Sequence, residues 1–317
     1  MSQGGALVLC LVVLAACGEQ TGSGVDAGNP IDAGNPIDAG NPIDAGNPID
    51  AGSPVDAGSP VDAGSPVDAG AVQHIQATLD RPCDVRRLLG VVQIDDAFGA
   101  PRLSSNLVDA PLPQLGPPAS TSTVCAFYPA ARNPGCSCLP QVCDYQGQCA
   151  RAPEPIGGYA VEVAGAQGQL SFTADAFGDA GGELSNLSFP VRLALRLPGV
   201  EVSVSPMDLP PALAGLEATL LGTYDAPTGL DFRWNPSPGT QIYTRIPINH
   251  HVADGSFTRC LVAGDAPGFH VDEGMLRPLA VATGLEFQGL EHLHLASAEL
   301  PAGCVEFRVQ RHYQGSF

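Results

Sequence analysis

A chain of 317 residues with 33 acidic and only 14 basic side chains carries a formal net charge of −19, which excludes nucleic acid and anionic membrane surfaces as partners recognised through charge. Every basic residue is Arg and lies beyond residue 72, where 24 acidic residues still outnumber them. Six Tyr, 11 Phe and one Trp are too few for an aromatic binding platform, and no motif in the chain implies a cofactor.

The apolar run from Ala6 to Ala16 is eleven residues long, well short of the about 20 a spanning helix needs. It fits the apolar region of a secretory signal at 1–16, with small Ala15 and Ala16 before the cut. Leu14-Ala15-Ala16-Cys17 resembles a bacterial lipobox. That resemblance implies cleavage before Cys17, diacylation of its thiol and acylation of the new terminus. Two or three such chains, at about 0.8 kcal/mol per buried CH₂, anchor a soluble domain to a membrane. Met1 to Gly5 departs from the usual pattern in having no Lys or Arg. Gly18, where Asp would favour inner-membrane retention, points to the outer membrane.

Residues 17–72 read as a tether. Asn-Pro-Ile-Asp-Ala-Gly occurs four times from Asn29 to Gly52, and Ser-Pro-Val-Asp-Ala-Gly three times from Ser53 to Gly70. A Pro and a Gly in each unit exclude helix and central strand. One Ile or Val per unit cannot offset the entropy of ordering. Eight regularly spaced aspartates repel one another. The expectation is a disordered, extended linker with a reach of roughly 170 Å if fully polyproline-like and about 40 Å as a flexible coil.

Residues 73–155 read as a cysteine-rich module. Ile75–Leu79 and Leu88–Ile94 have strand character, Pro101–Thr123 reads as loop, and Pro134–Cys149 is turn-rich. With Cys10 lost in the signal and Cys17 acylated, eight cysteines remain: Cys83, Cys125, Cys136, Cys138, Cys143, Cys149, Cys260 and Cys304. An even number in an exported chain reads as disulfides. Cys260 and Cys304, alone in the C-terminal part, are expected to pair with each other; the other pairings stay open. The spacing from Cys136 to Cys149 lacks the paired C-x₂-C knuckles of zinc ribbons, so the cluster reads as a disulfide staple.

Residues 156–317 alternate apolar and polar residues in short runs: Tyr159–Val163, Leu170–Thr173, Val191–Leu197, Val200–Val204, Leu230–Trp234, Phe257–Val262 and Val305–Val309. Turn signals such as Pro198-Gly199 and Asp254-Gly255 separate them. The fold class expected is mainly β, an antiparallel, immunoglobulin-like sandwich. Gly274–Thr283 is the one short helical segment, and Trp234 is expected in the core.

The chain contains no G-x-S-x-G elbow, phosphate loop, H-E-x-x-H or C-x-x-C motif, which removes the exported hydrolases recognised by such motifs. Histidine is the best chemical constellation. His292 and His294 share one face of an alternating strand, and His250-His251 precede a turn, so the four could contribute to a metal site, with His270, Asp272 and Glu273 as further ligands. The plain alternative is polar residues on a sheet face and a loop. Asp95-Asp96 reads as a turn, since adjacent strand residues point to opposite faces.

Lipobox, acidic Pro/Gly repeat, cysteine knot and a β domain with a Trp-bearing strand, the Cys strand Phe257-Thr258-Arg259-Cys260 and a final strand together resemble tethered lipoproteins of myxobacteria. The resemblance implies architecture and location and no particular activity. The expected function is a non-catalytic binding or structural module of the bacterial cell envelope, bound to the membrane by lipid and meeting a protein or glycan. The alternative is an exported, metal-dependent enzyme using the C-terminal histidines.

Overall fold

The computed structural model describes residues 71–96, 100–129, 138, 141–247, 256–280 and 289–313. Cys17, the hexapeptide repeat, Cys136, His250 and His251 lie outside the described residues.

The described residues form twenty strands and one α-helix. The first eight strands are β1 (Gln73–Gln76), β2 (Thr78–Leu79), β3 (Leu88–Asp95), β4 (Arg102–Leu107), β5 (Ser120–Thr121), β6 (Cys125–Tyr128), β7 (Val142–Cys143) and β8 (Cys149–Ala150). There follow β9 (Ala160–Gly165), β10 (Gly168–Thr173), β11 (Asp179–Glu183), β12 (Arg192–Leu197), β13 (Val200–Ser203), β14 (Glu217–Thr223), β15 (Ala226–Arg233) and β16 (Gln241–Pro247). The chain closes with β17 (Phe257–Ala263), β18 (Gly268–Asp272), α1 (Glu273–Ala280), β19 (Leu290–Leu300) and β20 (Gly303–Tyr313). The mainly β fold that the alternation predicts is what forms. Pro101–Thr123 is a correction: it is not all loop, because Leu103, Ser105 and Leu107 alternate inward and pair with β3 as β4.

A ten-stranded sheet is central, in the order β11-β4-β3-β20-β19-β16-β17-β6-β5, with β2 on β19. Its pairs are antiparallel except β3 with β20. Strands from 73–155 are thus woven between strands from 156–317. Alternation along the registers gives this sheet two chemically different faces.

One face is apolar and carries two separate covers. Over its first half lies the five-stranded sheet β1-β13-β12-β9-β10. Val92, Ile94, Phe307 and Val309 pack there against Val161, Val163, Leu193, Leu195 and Val202. Over the other half lie the three-stranded sheet β14-β15-β18 and α1. Ile242, Ile246 and Val262 meet Leu230, Phe232, Trp234, Leu276 and Leu279. Trp234 is buried as its alternating position predicts, and its indole N–H donates to the Gly264 carbonyl at 3.0 Å.

The opposite face carries a buried charge network. Glu306 is 0 % exposed and accepts hydrogen bonds from Arg259 Nη2 at 2.7 Å, Arg308 Nε at 3.1 Å and the Cys83 backbone N–H at 2.9 Å. Tyr243 presents its ring to both guanidinium groups. Burial opposes ionisation of Glu306, but Arg308 and Arg259 outweigh it and hold the carboxyl below its usual range. Arg259 also donates to the Cys83 carbonyl at 3.0 Å, so the network fastens the segment entering β3 across β20 and β17.

Cysteine pairing corrects the sequence expectation. Cys304 bonds to Cys83, and Cys260 to Cys125. The two C-terminal cysteines sit on β20 and β17, separated by β19 and β16, and each bonds an N-terminal partner instead, Cys125 lying directly opposite Cys260 on neighbouring β6. Cys138–Cys149 closes a local hairpin of 11 residues' separation, and Cys143 is also disulfide-bonded. Both long bridges link 73–155 to 156–317.

Candidate functional site

His292, the sequence's foremost metal candidate, is buried at 0 % exposure in the seam between the two apolar covers. Its Nδ1 lies 3.0 Å from the Pro211 carbonyl oxygen and its Nε2 2.7 Å from Thr240 Oγ1. Both ring nitrogens therefore have protein partners. Arg311 lies in the same seam, where its Nε donates to the Pro210 carbonyl at 2.7 Å and its Nη1 pairs with Asp96. Burial pushes His292 down, the Pro211 bond opposes this, and His294 and Arg311 add to the lowering. His294, half-buried beside it, is lowered by burial against the pull of Asp208 and Asp80. Among the described residues, no three His, Cys, Asp or Glu side chains form a metal-holding group.

A different constellation faces solvent on the three-stranded sheet. In β15, Leu230 and Phe232 point into the core, which sends Asp231 and Arg233 outward. Register places Glu217 of β14 opposite Arg233, and Thr219 opposite Asp231. On the other side, Asp231 faces His270 of β18. Asp272, two residues along the same strand, shares that face. Phe269 turns inward and stacks on Phe232 at 4.7 Å between centroids. The aromatic side thus anchors a strand pair whose outer side carries Asp231, Arg233, His270 and Asp272.

The imidazole of His270 lies between two carboxylates. Nδ1 is 2.7 Å from Asp231 Oδ1, and Nε2 is 3.6 Å from Asp272 Oδ1. Gly229 supplies its seat: a Cβ at that position would collide with His270 Cε1. Arg233 makes no ion pair among the described residues and is exposed. Two shallow depressions flank the Asp231–Arg233 ridge. One, of about 410 Å³, adds Phe232, Pro267, Gly268 and Phe269. The other, of about 170 Å³, adds Glu217 and Thr219. The array offers one cation, several acceptors and an oriented imidazole, the parts of a recognition surface.

Sequence reasoning named His270 and Asp272 but missed Asp231, Arg233 and Glu217. The outward half of the alternation Leu230-Asp231-Phe232-Arg233-Trp234 was the available signal. Glu273 is turned aside, with its Oε1 3.3 Å from Arg277 Nη1 one helical turn on. A second polar groove, of about 560 Å³, lies at the far end of the central sheet, lined by Gln93, Asp95, Arg102, Ser104 and Asp179 among others.

Neither a protein-family model nor a curated protein matches the chain. Among solved structures, a carbohydrate-binding protein, so described provisionally, from Bacteroides uniformis is 9 % identical, with a TM-score of 0.20 over 55 % of this chain and 96 % of that one. The FN1–FN3 domains of chicken CNTN1 are 10 % identical, with a TM-score of 0.17 over 66 % and 75 %. A bacterial ice-binding adhesin described for host cell surface retention is 7 % identical, with a TM-score of 0.17 over 76 % and 64 %. Likeness this weak carries no reading of activity.

Proposed function

We propose that this protein is a lipid-anchored, non-catalytic recognition module of the bacterial cell envelope, held at the outer membrane through Cys17 and set off from it by the acidic repeat. The observation that carries the recognition role is the solvent-facing array Glu217, Asp231, Arg233, His270 and Asp272 on β14-β15-β18, backed by a rigid aromatic layer. Its mixed donors and acceptors over shallow depressions suit a hydroxyl-rich glycan or a polar protein loop. The long-range bridges Cys83–Cys304 and Cys125–Cys260 support an oxidising compartment. The lipobox and the tether support anchorage with reach.

Two measurements test this reading. Cells fed a palmitate analogue should label the wild type and leave Cys17→Ala unlabelled and soluble; labelled or membrane-bound Cys17→Ala refutes the anchor. Purified protein on immobilised envelope polysaccharides and on a glycan array should show binding that falls at least tenfold in Asp231→Ala/Arg233→Ala. Binding that survives this double substitution moves the recognition face elsewhere.

A further inference from the structure

His270 is set between two carboxylates on one solvent-facing side of the sheet. Asp231 Oδ1, at 2.7 Å, is an acceptor for the proton on Nδ1. On the other side of the ring, Nε2 lies 3.6 Å from Asp272 Oδ1. Nε2 and Asp272 Oδ1 are thus two potential metal donors held on one face of the strand. A carboxylate that fixes the Nδ1–H tautomer while Nε2 stays free is the arrangement found behind metal-ligating histidines. The separation also fits: an ion about 2.1 Å from both atoms would see them at roughly 118°, close to tetrahedral. The side chains of His270 and Asp272 are 43 % and 62 % exposed, so an ion can enter from solvent.

The geometry points to an open divalent-metal site on β18, with His270 Nε2 and Asp272 as ligands and Asp231 as the positioning residue. Nitrogen and carboxylate donors in this arrangement suit Zn²⁺ or a similar borderline transition ion. Two protein ligands leave at least two positions for water or for an oxygen of a bound molecule. The inference rests on the recognition face described above and makes it a face that binds through a metal bridge. Gly229 belongs to the device, since any side chain there would displace the imidazole from Asp231.

The test is calorimetric titration of the chelator-treated full chain with zinc chloride at pH 7.5. The wild type is compared with His270→Ala, Asp272→Asn, Asp231→Asn and the exposed control His74→Ala. The expected result is one zinc equivalent in the wild type and in His74→Ala that disappears in His270→Ala and Asp272→Asn. Asp231→Asn should weaken that equivalent about 10–100-fold. No zinc uptake by the wild type, or uptake unchanged in His270→Ala, overturns the site. Repeating the polysaccharide measurement with and without chelator separates the two readings. Binding insensitive to chelator and an empty zinc titration sink the metal bridge alone. Binding that ignores Asp231→Ala/Arg233→Ala sinks the recognition face even where zinc is bound.

Discussion

Glu306→Ala is the sharpest test of how this sheet is held together. The substitution removes one carboxylate that answers two guanidinium groups and one backbone N–H, all in a site where Glu306 itself is 0 % exposed. Arg308 would keep only Glu291, 3.3 Å from its Nη1, and the Tyr243 ring, and Arg259 only the Cys83 carbonyl and the same ring. Breaking a buried pair from one side costs about 3–5 kcal/mol, because the surviving charge stays desolvated. Against a total stability of about 5–15 kcal/mol, that is a large share. With a urea slope of about 2–3 kcal/mol/M, the midpoint should fall by about 1–2 M at unchanged slope. Urea unfolding of the oxidised protein, followed by the fluorescence of Trp234, measures it; the chain has one Trp. A shift equivalent to less than about 1 kcal/mol, the range of an exposed salt bridge, would show that water reaches Glu306 and that the network contributes little.

Further outcomes follow from the same reasoning. Replacing Cys83 and Cys304 by Ser should cost about 5 kcal/mol and replacing Cys138 and Cys149 about 3, from closure of loops spanning 221 and 11 residues; thermal unfolding of the two double variants checks the order. His292→Ala should lose about 2–4 kcal/mol at pH 7.5, since it removes a buried ring and strands the Pro211 carbonyl in the seam, while Thr240 keeps its bond to the Ser237 carbonyl, whereas a surface histidine would lose almost nothing. Because the folded pKa of His292 is lowered, its contribution is full above the unfolded value of about 6.5 and is lost as pH falls through the folded value. The melting temperature should therefore drop from pH 7.5 to 5, and drop less in His292→Gln. Glu291 has the opposite sign: burial raises its folded pKa against Arg308 and His312. Its contribution is complete below the unfolded value of about 4.3 and is lost as pH rises through the raised value, so Glu291→Gln should flatten the stability profile between pH 4.5 and 7.

The sequence by itself determined the local and the periodic. Alternation in Leu230–Trp234 and Val200–Val204 is enough to make strands and to choose their inner faces, because burial of one face in two is written into a period of two; in Val305–Val309 it marks the strand, but Glu306 and Arg308 on the polar face are buried as well. The one short helical segment expected, at Gly274–Thr283, forms as Glu273–Ala280 among the described residues. Strand pairing was not legible. Nothing near Cys260 announces that β17 lies beside β6 rather than near β20, so the expected Cys260–Cys304 bridge gave way to two long ones. Burial of His292 was hidden too: the i, i+2 spacing correctly put it on one face with His294, but only the packed Pro211 and Thr240 segments made that face an interior. His270-x-Asp272 was readable as a same-face pair. Asp231 joins it from 39 residues away in sequence, through a β15–β18 register that depends on which core each strand completes. Tertiary structure decided the site because sheet register is a non-local choice, made by the fit of whole apolar faces rather than by the residues that the register brings together.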